Sequence, residues 1–220
     1  SILGGVEHIL APAYDEALFP DGRIRESHAR PLEYLSSLPI STLRDRRSAL
    51  ETEATTAGVV FRVTDQEHPS RFPMDIVPRV LSGEEWSRLH GGTAQRARAL
   101  DAFLRDIYGA AAIVRDGVLP GGLAARSPGR AEAAQLWPSD LRRVHVAGFD
   151  IVRDGDGRWL VLEDNVRVPS GVAYAIQHRR LLRNVMPELS SAVEFNEPDE
   201  APALLRKMLE ESAPPAAADS

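Results

Sequence analysis

The segment 144–171 constrains the possible folds more than any other part of the sequence. It holds two apolar stretches, 144–152 and 158–164, which are separated by Asp154-Gly155-Asp156-Gly157. An Asp-Gly pair between apolar stretches is the strongest short-range signal for a β-hairpin. The segment is therefore expected to form two antiparallel strands, with Asp154 and Asp156 as turn residues.

Three side chains with oxygen atoms lie on these strands. Side chains alternate between the faces of a strand, so Glu163 and Asn165 share a face. Whether Asp150 on the first strand shares that face depends on the register, which the length of the turn decides. Two carboxylates on one face repel each other unless a cation lies between them, and Mg²⁺ prefers oxygen ligands. Asp150, Glu163 and Asn165 are therefore candidate metal ligands. The alternative is a solvated hairpin in which Glu163 pairs with Arg153 or Arg167.

The residues after the second strand are candidates for binding an anion. Arg167 lies two positions beyond Asn165, and its guanidinium group can reach a phosphate oxygen. Ser170 is expected to cap a helix over 171–184, and the N–H groups at the start of a helix form a weak anion site. Arg167, Ser170 and Gly171 are therefore the expected contacts to a phosphate group.

The rest of the sequence predicts helices and short strands. Helical spacing and capping residues indicate further helices over 27–38, from Ser41 or Thr42 to 56, over 93–108 and over 201–211, with Gly91-Gly92 as a break. Strands are expected over 59–63 and 74–81, the second at an edge or bent because of Pro78. A loop-rich connection with one short helix is expected over 109–140. The expected fold class is α+β, a mixed or antiparallel sheet with flanking helices.

Two further pairs of polar residues are candidates for contacting a substrate. Asp75 and Arg79 lie beside Pro78 and could orient a substrate or a phosphate, or could form an internal ion pair. Gln95 and Arg96 could approach the same cleft, or could lie exposed in the first turn of a helix. The sequence alone leaves both alternatives open.

Composition excludes several classes of protein. The 220-residue chain is expected to form one domain or slightly more. Its net charge of −6 argues against nucleic-acid binding, and the absence of cysteine excludes disulfides and thiolate sites. No apolar run approaches the roughly 18 residues that a membrane helix needs, and no secretory pattern opens the chain, so a cytoplasmic protein is expected. The chain begins with Ser1, so it is either processed or part of something longer.

Several stretches together resemble the circularly permuted type 2 ATP-grasp proteins, a bacterial group related to glutathionylspermidine-synthase-like ligases. The spacing from Asp150 to Glu163 and Asn165 is similar to the metal-binding signature of the ATP-grasp superfamily. The similar stretches cover roughly residues 14–190. They are Tyr14-Asp15-Glu16 with Asp21-Gly22, Phe72-Pro73-Met74-Asp75-Ile76-Val77-Pro78-Arg79, Gln95-Arg96 with Ala99-Leu100, Phe103-Leu104 with Asp106-Ile107-Tyr108, His145-Val146-Ala147-Gly148-Phe149-Asp150, and Leu162-Glu163-Asp164-Asn165 through Tyr174.

The resemblance implies an ATP-dependent carboxylate–amine ligase that acts through an acylphosphate. ATP and Mg²⁺ are the implied cofactors, with Asp150, Glu163 and Asn165 holding the metal and Arg167 in a catalytic role at the phosphate. The implied partners are a nucleotide and a small-molecule or peptide substrate. On this basis the chain divides into an irregular segment 1–25, an ATP-grasp-like region 26–200 that carries the hairpin, and a C-terminal helix with a disordered tail over 201–220.

The sequence departs from the family in three places and in its extent. Asp101, Met74 and Val168 stand where the family usually has Asn, Phe and Thr. Family members continue into a region that supplies nucleotide-binding lysines, whereas Lys207 is the sole lysine here. The chain is therefore expected to be the N-terminal half, completed by a C-terminal half or a companion chain. The alternative is a non-catalytic binding or assembly module derived from an ATP-grasp protein.

Overall fold

The computed structural model describes residues 14–61, 69–127, 132–138, 141–192 and 200–213. Within these ranges the chain forms eight α-helices and four strands. The helices are α1 Glu26–Ser37, α2 Ile40–Thr56, α3 Gly83–Ile107, α4 Ala112–Arg115, α5 Gly121–Ala125, α6 Val172–Val185, α7 Pro187–Ala192 and α8 Glu200–Ser212. The strands are β1 Val60–Phe61, β2 Ser70–Arg71, β3 Gly148–Arg153 and β4 Trp159–Asn165, and a short 3₁₀ helix spans Glu132–Leu136. Helices with two small antiparallel sheets confirm the α+β fold class.

The chain forms two compact units. Unit 1 combines residues 1–82 with 170–220, and unit 2 is the continuous segment 83–169. Unit 1 therefore contains α1, α2, α6, α7, α8 and the β1–β2 pair, whereas unit 2 contains α3, α4, α5 and the β3–β4 hairpin. The division into segments 1–25, 26–200 and 201–220 stays a prediction, and residues 1–13 and 214–220 lie outside the described ranges.

The core of unit 1 lies between α2, α6 and the segment around α7. Leu50 on α2 is fully buried, as are Met186 and Leu189. The carbonyl of Val185 and the carboxylate of Glu188 both accept hydrogen bonds from Arg46 on α2. Apolar burial is the main stabilising contribution in such a core, and the contact from Arg46 satisfies the carbonyl of Val185 at the end of α6.

The segment 74–81 does not form the expected strand. Instead, the amide of Val77 donates to the Asp75 carboxylate at 3.1 Å, and Ile76 and Val80 are buried between exposed residues. Pro78 has no N–H to contribute to a sheet, and the local turn at Asp75 competes with strand pairing. The observed second strand is β2, which pairs with β1 through the register Val60 to Arg71 and Phe61 to Ser70. Residues 62 and 63 of the expected first strand lie outside the described ranges.

Two expected helix boundaries also differ from the structure. Helix α3 runs without interruption through Gly91 and Gly92, so the expected break is wrong. Each glycine costs only about 1 kcal/mol in a helix interior, and the good helix formers on both sides outweigh that cost. Helix α2 begins at Ile40 after Pro39, so Ser41 and Thr42 lie inside its first turn rather than at its cap.

The aromatic side chain of Tyr174 joins the start of α6 to the β1–β2 pair. Its ring stacks on Phe72 with centroids 4.2 Å apart, and its hydroxyl donates to the carbonyl of Val60 at 2.9 Å. One turn further along α6, the imidazole Nε2 of His178 lies 2.8 Å from the carbonyl oxygen of Asp75. These contacts hold the Phe72–Arg79 stretch against α6 within unit 1.

Candidate metal and phosphate site

The hairpin turn is organised by Asp154, as expected. Its Oδ1 accepts the amides of Asp156 at 3.0 Å and Arg158 at 2.8 Å, and its Oδ2 accepts the guanidinium of Arg158 at 2.7 Å. Gly157, one of the five residues between β3 and β4, has a φ of 81°, a left-handed conformation that glycine adopts without steric cost. The turn therefore connects β3 and β4 with a defined geometry.

Acidification should loosen this turn first at Asp154. The pKa of the Asp154 carboxyl is held below its ordinary value of 3.8, chiefly by the amide of Arg158 and then by its guanidinium, which together outweigh burial. A lowered folded pKa means that the stabilisation is complete above about pH 4 and is lost as the pH falls through the folded pKa. The amides of Asp156 and Arg158 donate to this carboxylate, so their protection from exchange, relative to an unfolded chain, should fall below pH 4 in the wild type. The same protection should already be low at pH 7 in Asp154→Ala, and protection that does not change over this pH range would contradict the assignment.

The register of the hairpin places Asp150 on the same face as the other two candidate ligands. Asp150 lies directly opposite Glu163, and Gly148 lies opposite Asn165. Residues directly opposite in an antiparallel pair project to the same face, with Cβ atoms about 5 Å apart. Asp150, Glu163 and Asn165 are all exposed on that face. The question that the sequence left open is therefore answered in favour of a shared face.

A β-bulge in β4 produces this arrangement. The pairing shifts between Asp150 and Ile151, because Ile151 lies opposite Val161 and leaves Leu162 as an extra residue before Glu163. Burial follows the shift: Leu162 and Glu163 are both exposed, whereas burial alternates along the rest of the strand. Bulges commonly re-aim side chains near functional sites. Here the bulge brings Glu163 opposite Asp150.

Among the described residues, neither Asp150 nor Glu163 has a hydrogen-bond or ion-pair partner for its side chain. Like charges directly opposite each other on a sheet are destabilising. Exposed carboxylates that face each other without a neutralising side chain fit a divalent cation as the missing partner.

Asn165 completes the oxygen set and is itself held in place. Its Oδ1 accepts the amide of Val168 at 3.3 Å, which leaves a second lone pair on that oxygen. A Cβ on Gly148 would lie 3.0 Å from the Cβ of Pro169 and 3.8 Å from that of Asn165, so a larger residue opposite Asn165 would require Pro169 to move by a few tenths of an ångström. Within the described ranges no group of three His, Cys, Asp or Glu residues could hold a metal, so the set consists of two carboxylates and one amide.

The opposite face of the hairpin carries charged residues that bind α3. Arg96 makes a two-pronged ion pair with Asp164, with N–O distances of 2.5 and 2.7 Å. Arg96 lowers the pKa of Asp164, and Asp164 raises the pKa of Arg96, as expected for one ion pair seen from both sides. At the other end of the hairpin, Arg153 pairs with Glu85, and its guanidinium lies 4.0 Å above the ring of Trp159.

The candidate phosphate contacts lie at the end of the hairpin and at the start of α6. Arg167 is exposed in unit 2. Ser170 and Gly171 belong to unit 1, where Gly171, with a φ of 112°, is the residue that precedes α6. Ser170 is therefore not the capping residue that the sequence suggested. The carbonyl of Gly171 accepts the amides of Tyr174 and Ala175, which begins the helix.

The four candidate substrate residues have mostly structural surroundings. The guanidinium of Arg79 pairs with Glu16, and Asp75 accepts the amide of Val77 and, through its carbonyl, contacts His178. Arg96 is engaged by Asp164, while Gln95 is exposed on α3. Their assignment to a substrate stays a prediction.

Two structurally important carboxylates went unrecognised in the sequence. Asp164 lies on the inner face of the hairpin, and Asp101 accepts the amides of Arg143 at 2.6 Å and Val144 at 3.0 Å. Burial alone would raise the pKa of Asp101, but these N–H groups and Arg105 lower it overall. Strand alternation could have indicated Asp164, because a charged residue between the apolar faces of a strand requires a partner.

Comparison with known proteins identifies the family. The model of the family described as circularly permuted ATP-grasp type 2 matches residues 78–220. The ATP-grasp-like α+β architecture and this match define the class of protein, and the chain belongs to the circularly permuted ATP-grasp type 2 family.

The chain is also similar to longer proteins of known sequence. It is 42% identical over 211 residues to "Putative glutamate--cysteine ligase 2-3" of Frankia alni, an alignment that covers 96% of this chain and 25% of that protein. It is 36% identical to an uncharacterized protein of Synechocystis, covering 92% of this chain and 43% of that protein. An uncharacterized protein of Mycobacterium leprae is 38% identical, with coverages of 96% and 38%. The chain thus spans less than half the length of each of these relatives.

Among the helices of the described residues, none combines the length and the apolar character that crossing a bilayer requires.

Proposed function

We propose that the chain supplies the metal-binding part of an ATP-dependent carboxylate–amine ligase. The observation that carries the proposal is the opposed pair Asp150 and Glu163, with Asn165 beside them on the same exposed face. Membership of an ATP-grasp family and the ligase name of the Frankia relatives support the same reaction class. An ATP-using enzyme of this kind is expected in the cytoplasm.

Each residue of the site has a distinct role in this proposal. The carboxylates of Asp150 and Glu163 and the amide oxygen of Asn165 hold Mg²⁺. When bound, Mg²⁺ neutralises charge on the nucleotide phosphates. The guanidinium of Arg167 contacts a phosphate oxygen of the nucleotide or of the acylphosphate, where a planar donor pair is favourable. In unit 1, the amides that follow Ser170 and Gly171 are proposed as a separate anion contact at the start of α6.

The proposed reaction proceeds in two steps. A substrate carboxylate oxygen attacks the γ-phosphorus of ATP, and the bond from that phosphorus to the bridging oxygen breaks. ADP is the leaving group, and the substrate carboxylate becomes an acylphosphate. An amine then attacks the acyl carbon, phosphate departs with the electron pair of the broken C–O bond, and the amine loses a proton to give an amide. Glutamate and cysteine are the first substrate pair to test, because the Frankia relatives carry the name of that ligase.

An isotope experiment tests this function on the longer protein that contains the chain. With ¹⁸O in the substrate carboxylate, sustained ADP formation over many turnovers should require both the carboxylate and the amine, and one ¹⁸O atom should appear in the released phosphate. Formation of AMP and pyrophosphate, or phosphate without ¹⁸O, would contradict the acylphosphate route.

Calorimetric titration of the 220-residue chain with ATP, with and without Mg²⁺, tests whether nucleotide binding depends on the metal. Binding is expected with Mg²⁺ and is expected to disappear with EDTA. An absence of magnesium-dependent binding in both this chain and the longer protein would favour the binding or assembly module instead.

A further inference from the structure

The inner face of the hairpin is tied to α3 at two points that lie on either side of the bulge. Glu85 and Arg96 are separated by about 16 Å along α3 at a rise of about 1.5 Å per residue. Their partners are separated by about 13 Å along the hairpin, at about 3.3 Å per strand residue, because Asp164 lies opposite Phe149, four residues from Arg153. The ion pairs Arg153–Glu85 and Arg96–Asp164 therefore connect α3 and the hairpin near both ends.

The position of the bulge decides which face Glu163 occupies. With Leu162 as the extra residue, Asp164 points to α3 and Glu163 points outward, opposite Asp150. If the final part of β4 instead paired without the extra residue, a shift of one position would move every side chain to the other face. Asp164 would then face solvent, and Glu163 would face α3.

Apolar packing does not distinguish these two registers strongly. Leu162 is 68% exposed and therefore gains little from its present position. Asp164 gains two charge-assisted hydrogen bonds from Arg96 only in the observed register, and such bonds are roughly twice as strong as neutral ones. The opposed carboxylates of Asp150 and Glu163 disfavour the observed register in the absence of a cation.

We infer that Arg96 is a positioning residue, which holds the bulge at Leu162 through Asp164 and thereby keeps Glu163 and Asn165 on the same face as Asp150. Arg96 acts on the metal ligands from behind the sheet rather than by contacting a substrate. This inference rests on the proposed function only for the identity of the ligands, because the register of the hairpin can be measured without a metal.

The test compares Arg96→Met with Arg88→Met. Both variants remove a guanidinium group from α3 and retain an apolar stem, but Arg88 pairs with Glu84 on the same helix and not with the hairpin. Cross-strand NOEs in labelled protein report the pairing of residues 148–150 with 163–165. In Arg96→Met the NOEs between Asp150 and Glu163 should weaken or shift by one residue, whereas Arg88→Met should match the wild type.

Metal affinity is the second measurement. Removing a group that orients a ligand typically weakens metal binding by about 10- to 100-fold. Arg96→Met should therefore bind Mn²⁺ about 10- to 100-fold more weakly than the wild type, as measured by electron paramagnetic resonance. Arg96→Lys should recover part of the affinity, because lysine retains the charge but not the two-pronged geometry. Circular dichroism checks that each variant is folded. If Arg96→Met is not folded, Asp164→Asn, which keeps the shape of the side chain, takes its place in both measurements.

The outcomes separate this inference from the proposed function. If the wild type binds no Mn²⁺, the metal site is contradicted, and the NOE comparison alone decides the role of Arg96. Wild-type cross-strand NOEs in folded Arg96→Met would overturn the inference. A shifted or lost register in Arg96→Met, beside a native register in Arg88→Met, would support it.

Discussion

Glu163→Gln should abolish most of the divalent metal binding of this protein. The substitution keeps the size and the hydrogen-bonding oxygen of the side chain but removes one of the two opposed carboxylates. Because changes in residues that merely orient ligands cost about 10- to 100-fold, loss of a charged ligand should weaken Mn²⁺ binding by about 100-fold or more. Mn²⁺ titration followed by electron paramagnetic resonance measures the change directly.

The free energy of unfolding of Glu163→Gln without metal is an independent test of the metal assignment. Asp150 and Glu163 are directly opposite, and removing a like-charge pair on a sheet relieves a repulsion of about 0.2–1 kcal/mol. Glu163→Gln should therefore be as stable as the wild type or slightly more stable when no metal is present. A residue with a purely structural role would show the opposite change in the free energy of unfolding.

Glu84→Gln is the matched control for Glu163→Gln. Glu84 is an exposed glutamate of the same unit that pairs with Arg88 on α3, and exposed pairs of this kind contribute less than about 1 kcal/mol. The control should leave metal affinity unchanged. Wild-type Mn²⁺ affinity in Glu163→Gln, or an equal loss in both variants, would contradict the metal assignment.

Leu50→Ala should cause a large loss of stability in unit 1. Leu50 is fully buried at the contact between α2 and α6, within a cluster that includes Leu182, Val185 and Met186. Removing a buried leucine side chain costs the lost burial and leaves a cavity, together about 2–5 kcal/mol. The expected decrease in the free energy of unfolding is about 3 kcal/mol, measured by urea denaturation with a probe in unit 1.

Ile40→Ala is the control for Leu50→Ala, because both substitutions truncate an aliphatic side chain on α2 to alanine and only Leu50 is buried. Ile40 begins the same helix but is 67% exposed, so its truncation should change the free energy of unfolding by about 0.5 kcal/mol or less. Similar losses for the two variants would mean that Leu50 does not lie in a tightly packed core.

Local sequence signals were sufficient to predict the hairpin and most of the helices. Asp154, Gly155 and Gly157 form the turn because their side chains and backbone conformations suit it regardless of the rest of the chain. The shared face of Glu163 and Asn165 follows from strand alternation in the same way. Helices α1, α6 and α8 begin and end within a few residues of their predicted limits for the same reason.

Features that depend on distant residues could not be predicted in this way. The strand expected over 74–81 was replaced by a turn at Asp75, whose carbonyl contacts His178 on α6. The expected break at Gly91-Gly92 is absent, because the cost of two glycines is small beside the cooperativity of a long helix. The ion pair of Arg96 with Asp164 could not be predicted from local patterns either, and the role of Arg96 as a substrate contact stays a prediction.

The sequence by itself determined which oxygen-bearing residues lie on the hairpin, because turn chemistry and alternation are local. The tertiary structure alone decided that Asp150 joins Glu163 and Asn165 on one exposed face. That outcome depends on the bulge at Leu162. The ion pair between Arg96 and Asp164, which we infer to hold the bulge, joins a helix to a strand far away in the sequence. The turn sets the pairing next to it, but a bulge further along β4 changes the face of every later residue, so turn chemistry and alternation alone do not give the register at Glu163.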